Sequence, residues 1–239
     1  MIPKTIHYCW FGGNPVPKDV EKCISSWKRK CPNYNIVCWN ESNFDVKSHT
    51  YIKEAYEAKR WAFVSDLARL LIVYNNGGIY LDTDVELLKS LDGIIKDNEF
   101  FFAIEKDTNI KTGEESIHVA TGLGFGAEKN NQVLRNLINE YDDAHFYQHE
   151  GKYDLTPCPV RNTDAFKKMG VKIEDKMIKL KGGTIYPSEF FCPEEYSSSI
   201  TRFTTNTVSI HHYTASWKTS KERMKDKARI VYRKLFKRG

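Results

Sequence analysis

The stretch from Trp61 to Glu86, WAFVSDLARLLIVYNNGGIYLDTDVE, constrains the fold more than any other part of this 239-residue chain. Leu67, Leu70, Leu71 and Tyr74 recur at the i, i+3, i+4, i+7 spacing of one helical face. That helix has to end at Asn75-Asn76-Gly77-Gly78, where glycine supplies a left-handed cap. Ile79-Tyr80-Leu81 then reads as a short apolar strand that runs straight into Asp82-Thr83-Asp84. A helix that leads through a glycine turn into a buried strand belongs in a layered α/β architecture.

The rest of the chain fits the same plan. Ile2 to Phe11 reads as a strand closed by Gly12-Gly13-Asn14-Pro15. Pro17 to Lys30 reads as a helix with Val20, Ile24 and Trp27 on one stripe, and Tyr34 to Trp39 as a second strand. Tyr51 to Asn75 is helical in two pieces. Phe100 to Glu105 and Leu123 to Ala127 read as strands, and Asn131 to Tyr141 as a helix. The alternation predicts a single α/β domain over residues 1–217, with a mixed, mostly parallel sheet flanked by helices. Ligands of such sheets bind beyond the carboxyl ends of the strands, which is where Asp82 and Asp84 stand.

Charge divides the chain. The formal net charge is +5, yet residues 218–239 hold ten basic and two acidic side chains, a net +8 that leaves −3 for the first 217 residues. A mildly acidic body without a Lys/Arg cluster disfavours a nucleic-acid-binding core. Ser220 to Phe236 fits a helix with Met224, Ala228, Val231 and Leu235 on one stripe and basic residues elsewhere. That pattern suits either a helix lying on an anionic membrane surface or one docked on the domain. No run approaches the roughly 18 apolar residues of a membrane-spanning helix. The six cysteines form no C-x-x-C pair, and the first residues do not read as a signal peptide. The expectation is therefore a cytoplasmic protein with reduced thiols, peripheral on the inner membrane face if the tail binds there.

The acidic pair carries the chemistry. Alone, a D-x-D pair is as readily a solvated turn as a site. Behind an apolar strand and a glycine turn, two carboxylates can share a hard cation such as Mn²⁺ or Mg²⁺. Asp66 and Arg69 lie three apart on one helix face, among Phe63, Leu67, Leu70 and Ile72. An ion pair in so apolar a setting is costly unless it has a partner or a task. The segment Ala120 to Gly126 is rich in glycine, either to admit a substrate or to pack strands closely. Thr156-Pro157-Cys158-Pro159 and Tyr186-Pro187 are candidates for shaping an acceptor side.

The run SDLARLLIVYNNGGIYLDTDV resembles the sugar-nucleotide motif of glycosyltransferase family 32, whose pattern the large clostridial glucosylating toxins share more distantly. The opening IPKTIHYCWFGG is similar to that family's first strand, and SIHHYTASW, Ser209 to Trp217, to its C-terminal motif. The resemblance implies a GT-A fold and a transferase that moves a hexose or an N-acetylhexosamine with a divalent metal, Mn²⁺ or Mg²⁺, and a nucleotide sugar, with UDP favoured. It implies retention at the anomeric carbon and a glycan or lipid-linked acceptor, as in capsule or surface polysaccharide synthesis. By the same resemblance Trp10 stacks on the nucleobase, and Asp66 and Arg69 bind sugar hydroxyls near the phosphates. Tyr80 lines the nucleotide pocket, Asp82 contacts the ribose or reaches the metal through water, and Asp84 is a direct ligand. His212 completes the metal set, and Ser216 and Trp217 sit on a closing loop. His211 and His212 point opposite ways on a strand, so only one can face the metal, and motif spacing favours His212.

Two rival classes differ in what they require. A haloacid-dehalogenase-type phosphatase would place Thr or Val where this chain has Glu86. A non-catalytic sugar-nucleotide or glycan-binding module would not need Asp66, Arg69, Asp82, Asp84 and a histidine together. A host-modifying transferase remains an alternative to capsule synthesis.

Overall fold

The computed structural model describes residues 1–109, 112–197 and 201–214. Ser216, Trp217 and the basic segment 218–239 lie outside the described residues. In chain order the elements are β1 (Thr5–Cys9), α1 (Lys18–Lys30), β2 (Asn35–Trp39), α2 (Thr50–Glu57) and α3 (Trp61–Asn76). They continue with β3 (Gly78–Tyr80), β4 (Val85–Leu87), α4 (Asp92–Ile95), β5 (Phe100–Thr108), β6 (Glu115–Val119) and β7 (Phe125–Ala127). Then follow α5 (Gln132–Asn139), α6 (Cys158–Lys168), β8 (Ile178–Leu180), β9 (Gly183–Tyr186), α7 (Ser188–Phe191) and β10 (Ser209–His211).

The main sheet runs β2-β1-β3-β7-β5-β9-β8, with β6 paired to β5 alone. β1 is parallel to β2 and β3, and β5 is parallel to β9, whereas β7, β8 and β6 are antiparallel to their neighbours. Strands β1, β2, β3, β5 and β9 therefore share one direction, and their carboxyl ends share one edge of the sheet. The expected mixed, mostly parallel sheet is observed, in one domain. β4 and β10 form a separate antiparallel pair beyond that edge.

Alternation along β5 shows why the sheet is covered on both faces. Phe100, Phe102 and Ile104 pack with Val64, Leu67 and Leu70 of α3, Leu134 and Leu137 of α5 and Phe166 of α6. Phe101 and Ala103 face the other way, toward Trp27 of α1, Ile94 of α4 and Phe191 of α7. Successive side chains of a strand point to opposite faces, so a continuous apolar run is stable only between two helical layers.

The helix α3 and its stop are as the sequence implies. Lys59, at φ 55°, breaks the helical stretch between α2 and α3. Gly77 adopts φ 69° at the end of α3, and its N–H donates to the carbonyl of Val73 at 2.7 Å. A Cβ there would lie 2.9 Å from Pro3, so both conformation and space require glycine. His7 ties this junction to the sheet. Its Nε2 donates to the Gly77 carbonyl at 2.9 Å, and its Nδ1 accepts from Trp39 Nε1 at 3.0 Å. Among the described residues no helix is long and apolar enough to cross a membrane, and all six cysteines are free.

Candidate active site

The acidic loop is fixed from three sides. The Asp82 N–H donates to the Gly122 carbonyl at 3.1 Å, and the Val85 N–H closes a turn onto the Asp82 carbonyl at 3.0 Å. From below, Trp27 Nε1 donates to the Val85 carbonyl at 2.7 Å, and Ser26 Oγ accepts from the Leu87 N–H at 2.9 Å. α1 thus clamps β4 in place. From the far end of the chain, β10 pairs Ser209 with Leu87 and His211 with Val85.

That pairing decides between the two histidines. Residues directly opposite in an antiparallel pair share a face. Ser209 and Leu87 are buried, so His211 also turns inward, and His212 falls on the outer side with Glu86. His211 Nε2 lies 3.1 Å from Asp84 Oδ1. His212 Nε2 lies 2.9 Å from Glu86 Oε2, at an exposed position. The histidine beside the acidic pair is therefore His211, not His212. Motif spacing misled because it carries no information on strand register.

Asp82, Asp84 and His211 each place one ligand atom within 4.8 Å of the others. Two carboxylates and an imidazole suit Mn²⁺ or Mg²⁺, with positions left for phosphate oxygens. His211 Nδ1 is buried without a hydrogen-bond partner, so protein groups satisfy only one side of the ring. Burial alone would raise the Asp84 carboxyl, but His211 and the Thr214 N–H and hydroxyl outweigh it and hold the group well below the usual carboxylate range. Thr214 donates to Asp84 Oδ2 at 2.9 Å from its N–H and 3.1 Å from its hydroxyl. Tyr213, at φ 48°, turns the chain back to make this possible.

Behind the triad lies a buried cation. Arg69, 4% exposed, donates through Nη2 to Asp66 Oδ1 at 2.9 Å and through Nη1 to Asp82 Oδ2 at 3.4 Å. Its Nε donates to the Ser65 carbonyl at 3.0 Å, and its guanidinium sits 5.0 Å over the Tyr80 ring. The expected Asp66–Arg69 pair is thus extended to Asp82. Burial pushes the Asp66 carboxyl up to about 6 against the pull of Arg69, and the Cys158 thiol donates to it. Cys158 opens α6 and lies 3.5 Å from Thr121 Oγ1. The Thr156–Pro159 segment therefore meets Asp66.

Tyr80 differs from its expected role. It is 1% exposed and donates to Asp82 Oδ1 at 3.1 Å. A buried ring cannot line an open pocket, so Tyr80 orients Asp82 from beneath. Trp10, half-buried at the carboxyl end of β1, donates from Nε1 to the Asn14 carbonyl at 2.7 Å, one strand away from β3.

Gly122 escaped the sequence reading as an individual residue. A Cβ there would lie 2.3 Å from Asp82 Oδ2 and 3.1 Å from Arg69 Nη1. Within the glycine-rich segment Gly126 packs against Phe101, as the close-packing reading expects, and Gly122 leaves room for the Asp82 and Arg69 side chains.

Residues 17–101 match the family model described as a glycosyltransferase sugar-binding region containing a DXD motif. The chain is 28% and 31% identical to inositol phosphoceramide mannosyltransferases 1 and 3 of Schizosaccharomyces pombe, over 110 and 102 residues. These matches cover 41% and 39% of this chain but only 33% and 27% of the yeast proteins. An uncharacterized glycosyltransferase of Acanthamoeba polyphaga mimivirus is 28% identical over 158 residues, 60% of this chain and 59% of the viral one. The chain thus spans less than two-thirds of the length of these relatives. The solved PaToxG glycosyltransferase matches the fold with a TM-score of 0.52 at 17% identity, over 70% of each chain. Residues 17–101 are thus similar to the DXD-containing sugar-binding region of glycosyltransferases, within a chain of GT-A fold.

Proposed function

We propose that the protein is a metal-dependent glycosyltransferase of the family 32 type, which moves a hexose from a nucleotide sugar to a glycan or lipid-linked acceptor. The observation that carries this reading is the convergence of Asp82, Asp84 and His211 in front of the buried Arg69. Asp84 and His211, with Asp82, would hold Mn²⁺ or Mg²⁺. When bound, such an ion supplies Lewis-acid stabilisation to the diphosphate leaving group. Arg69, locked between two carboxylates, keeps its charge and stands as a fixed cation for an anionic donor. Asp66 and Asp82 offer acceptor oxygens to sugar and ribose hydroxyls. Trp10 offers a ring face to the base. Asp84 holds no proton at neutral pH, so its role is ligation rather than acid catalysis.

UDP is the preferred nucleotide by resemblance to family 32. The yeast relatives are named mannosyltransferases, so mannose belongs among the donors to test. Retention at the anomeric carbon, a role in capsule or surface polysaccharide synthesis and a cytoplasmic, membrane-peripheral location complete the proposal. The membrane-peripheral part of that location rests on the basic residues 218–239 alone. Incubation with a panel of UDP- and GDP-sugars, with and without Mn²⁺, tests the reading by mass spectrometry. Metal-dependent release of one nucleoside diphosphate is expected. Tight donor binding with no turnover in an acceptor mixture would favour a binding module instead.

A further inference from the structure

The carboxyl end of β5 carries a second group of side chains that the donor site does not use. Glu105 Oε1 accepts from the Tyr213 hydroxyl at 2.9 Å. Two residues on, Asp107 accepts from the Ser197 N–H at 2.8 Å and from the Ser197 hydroxyl. The base of this loop is closed by the Arg202 N–H on the Pro193 carbonyl at 2.7 Å and by the Glu194–Thr201 bridge. Glu195, 2% exposed, pairs with Arg202. Tyr196 thus sits between two anchored neighbours. Its ring lies 5.2 Å from that of Tyr213, which lies 4.3 Å edge-on from His211. Even so, Tyr196 is 39% exposed.

An aromatic ring that is held in place yet open to water is a stacking platform with little rotamer entropy left to lose. Its position says for what. In the order β2-β1-β3-β7-β5, Trp10 follows β1 and the Tyr196 loop is anchored on β5. The two aromatic groups therefore flank Asp82 from opposite sides. If Trp10 meets the base of the donor on the β1 side, as proposed above, the ring on the β5 side lies across Asp82 from it.

We propose that Tyr196 forms the wall of an acceptor subsite beside the Asp82–Asp84–His211 triad, and that it takes a pyranose ring by its apolar C–H face. The proposal rests on the glycosyltransferase reading above and adds to it the residue that would hold the acceptor and the face of the sugar that it would take.

Saturation-transfer NMR on the full chain tests it with methyl α-mannopyranoside, methyl β-galactopyranoside and methyl β-glucopyranoside as probes. At least one is expected to show transfer to ring C–H protons on one face. Tyr196→Ala should weaken that binding about tenfold, the scale of one aromatic stacking contact, and Tyr196→Phe should preserve it. In turnover assays the same Tyr196→Ala change should raise the acceptor KM about tenfold and the donor KM less than twofold. The proposal is overturned if none of the three pyranosides binds, if Tyr196→Ala binds as the wild type does, or if the donor KM moves with the acceptor KM. Failure of the wild type to turn over any sugar nucleotide would sink the enzyme reading alone, because the NMR result does not depend on turnover.

Discussion

Asp84 and the two adjacent histidines decide what the site can hold. Asp84→Asn keeps the shape and removes the charge. Nucleotide-sugar turnover should fall at least about a hundredfold, with the circular dichroism spectrum unchanged. Near-normal activity would remove Asp84 from the metal set. His211→Ala should abolish detectable Mn²⁺ binding in calorimetry, and His212→Ala should leave it within about twofold, since a surface ion pair contributes little. The reverse outcome would return the ligand to the position that motif spacing favours. The acidic pair, Arg69 and Asp66 were readable in the sequence because each breaks an apolar pattern. The histidine assignment was not, because it depends on which residue of β10 lies opposite Val85.

At the scale of elements, the β1–α3–β3 junction and the Gly122 turn give distinct outcomes. His7 is buried and neutral, and burial lowers its pKa below the ordinary 6.5. The unfolded chain therefore binds a proton that the folded chain refuses. The contribution of His7 to stability is intact above pH 6.5 and declines as pH falls below it. Urea titrations between pH 7 and pH 5 should show that decline, and His7→Gln should flatten it in this window. An equal slope in both proteins would show that another group is responsible. Gly122→Ala puts a methyl group against Asp82. Activity should drop more than tenfold while the melting temperature moves by only a few degrees. The α3 helix, its glycine stop and β3 were legible because periodicity and turn chemistry are local. Gly122 was not, since only the packed structure shows which glycine of several faces a carboxylate. Nor was the β4–β10 pair, whose three-residue strands carry no period of their own.

For the molecule as a whole, the core depends on β5. Phe102 is fully buried, stacked on Phe125 at 5.6 Å and edge-on to Phe166 at 5.0 Å. It joins the sheet to α6. Phe102→Ala should cost about 3–5 kcal/mol in chemical denaturation. A loss below 1 kcal/mol would mean that the layers close over the void. The α/β class and the shared sheet edge followed from alternating elements. The antiparallel β7 between β3 and β5 did not, because strand direction is set by tertiary closure.

The Thr214–Asp84 contact spans 130 positions of the chain. During synthesis the segment that carries Asp82 and Asp84 leaves the ribosome well before the strand that brings His211 and Thr214 to them. A nascent chain halted before Ser209 can have built most of its sheet and still lack His211 and Thr214. The cluster would then be complete only once residues 209–214 have joined β4 and Asp84.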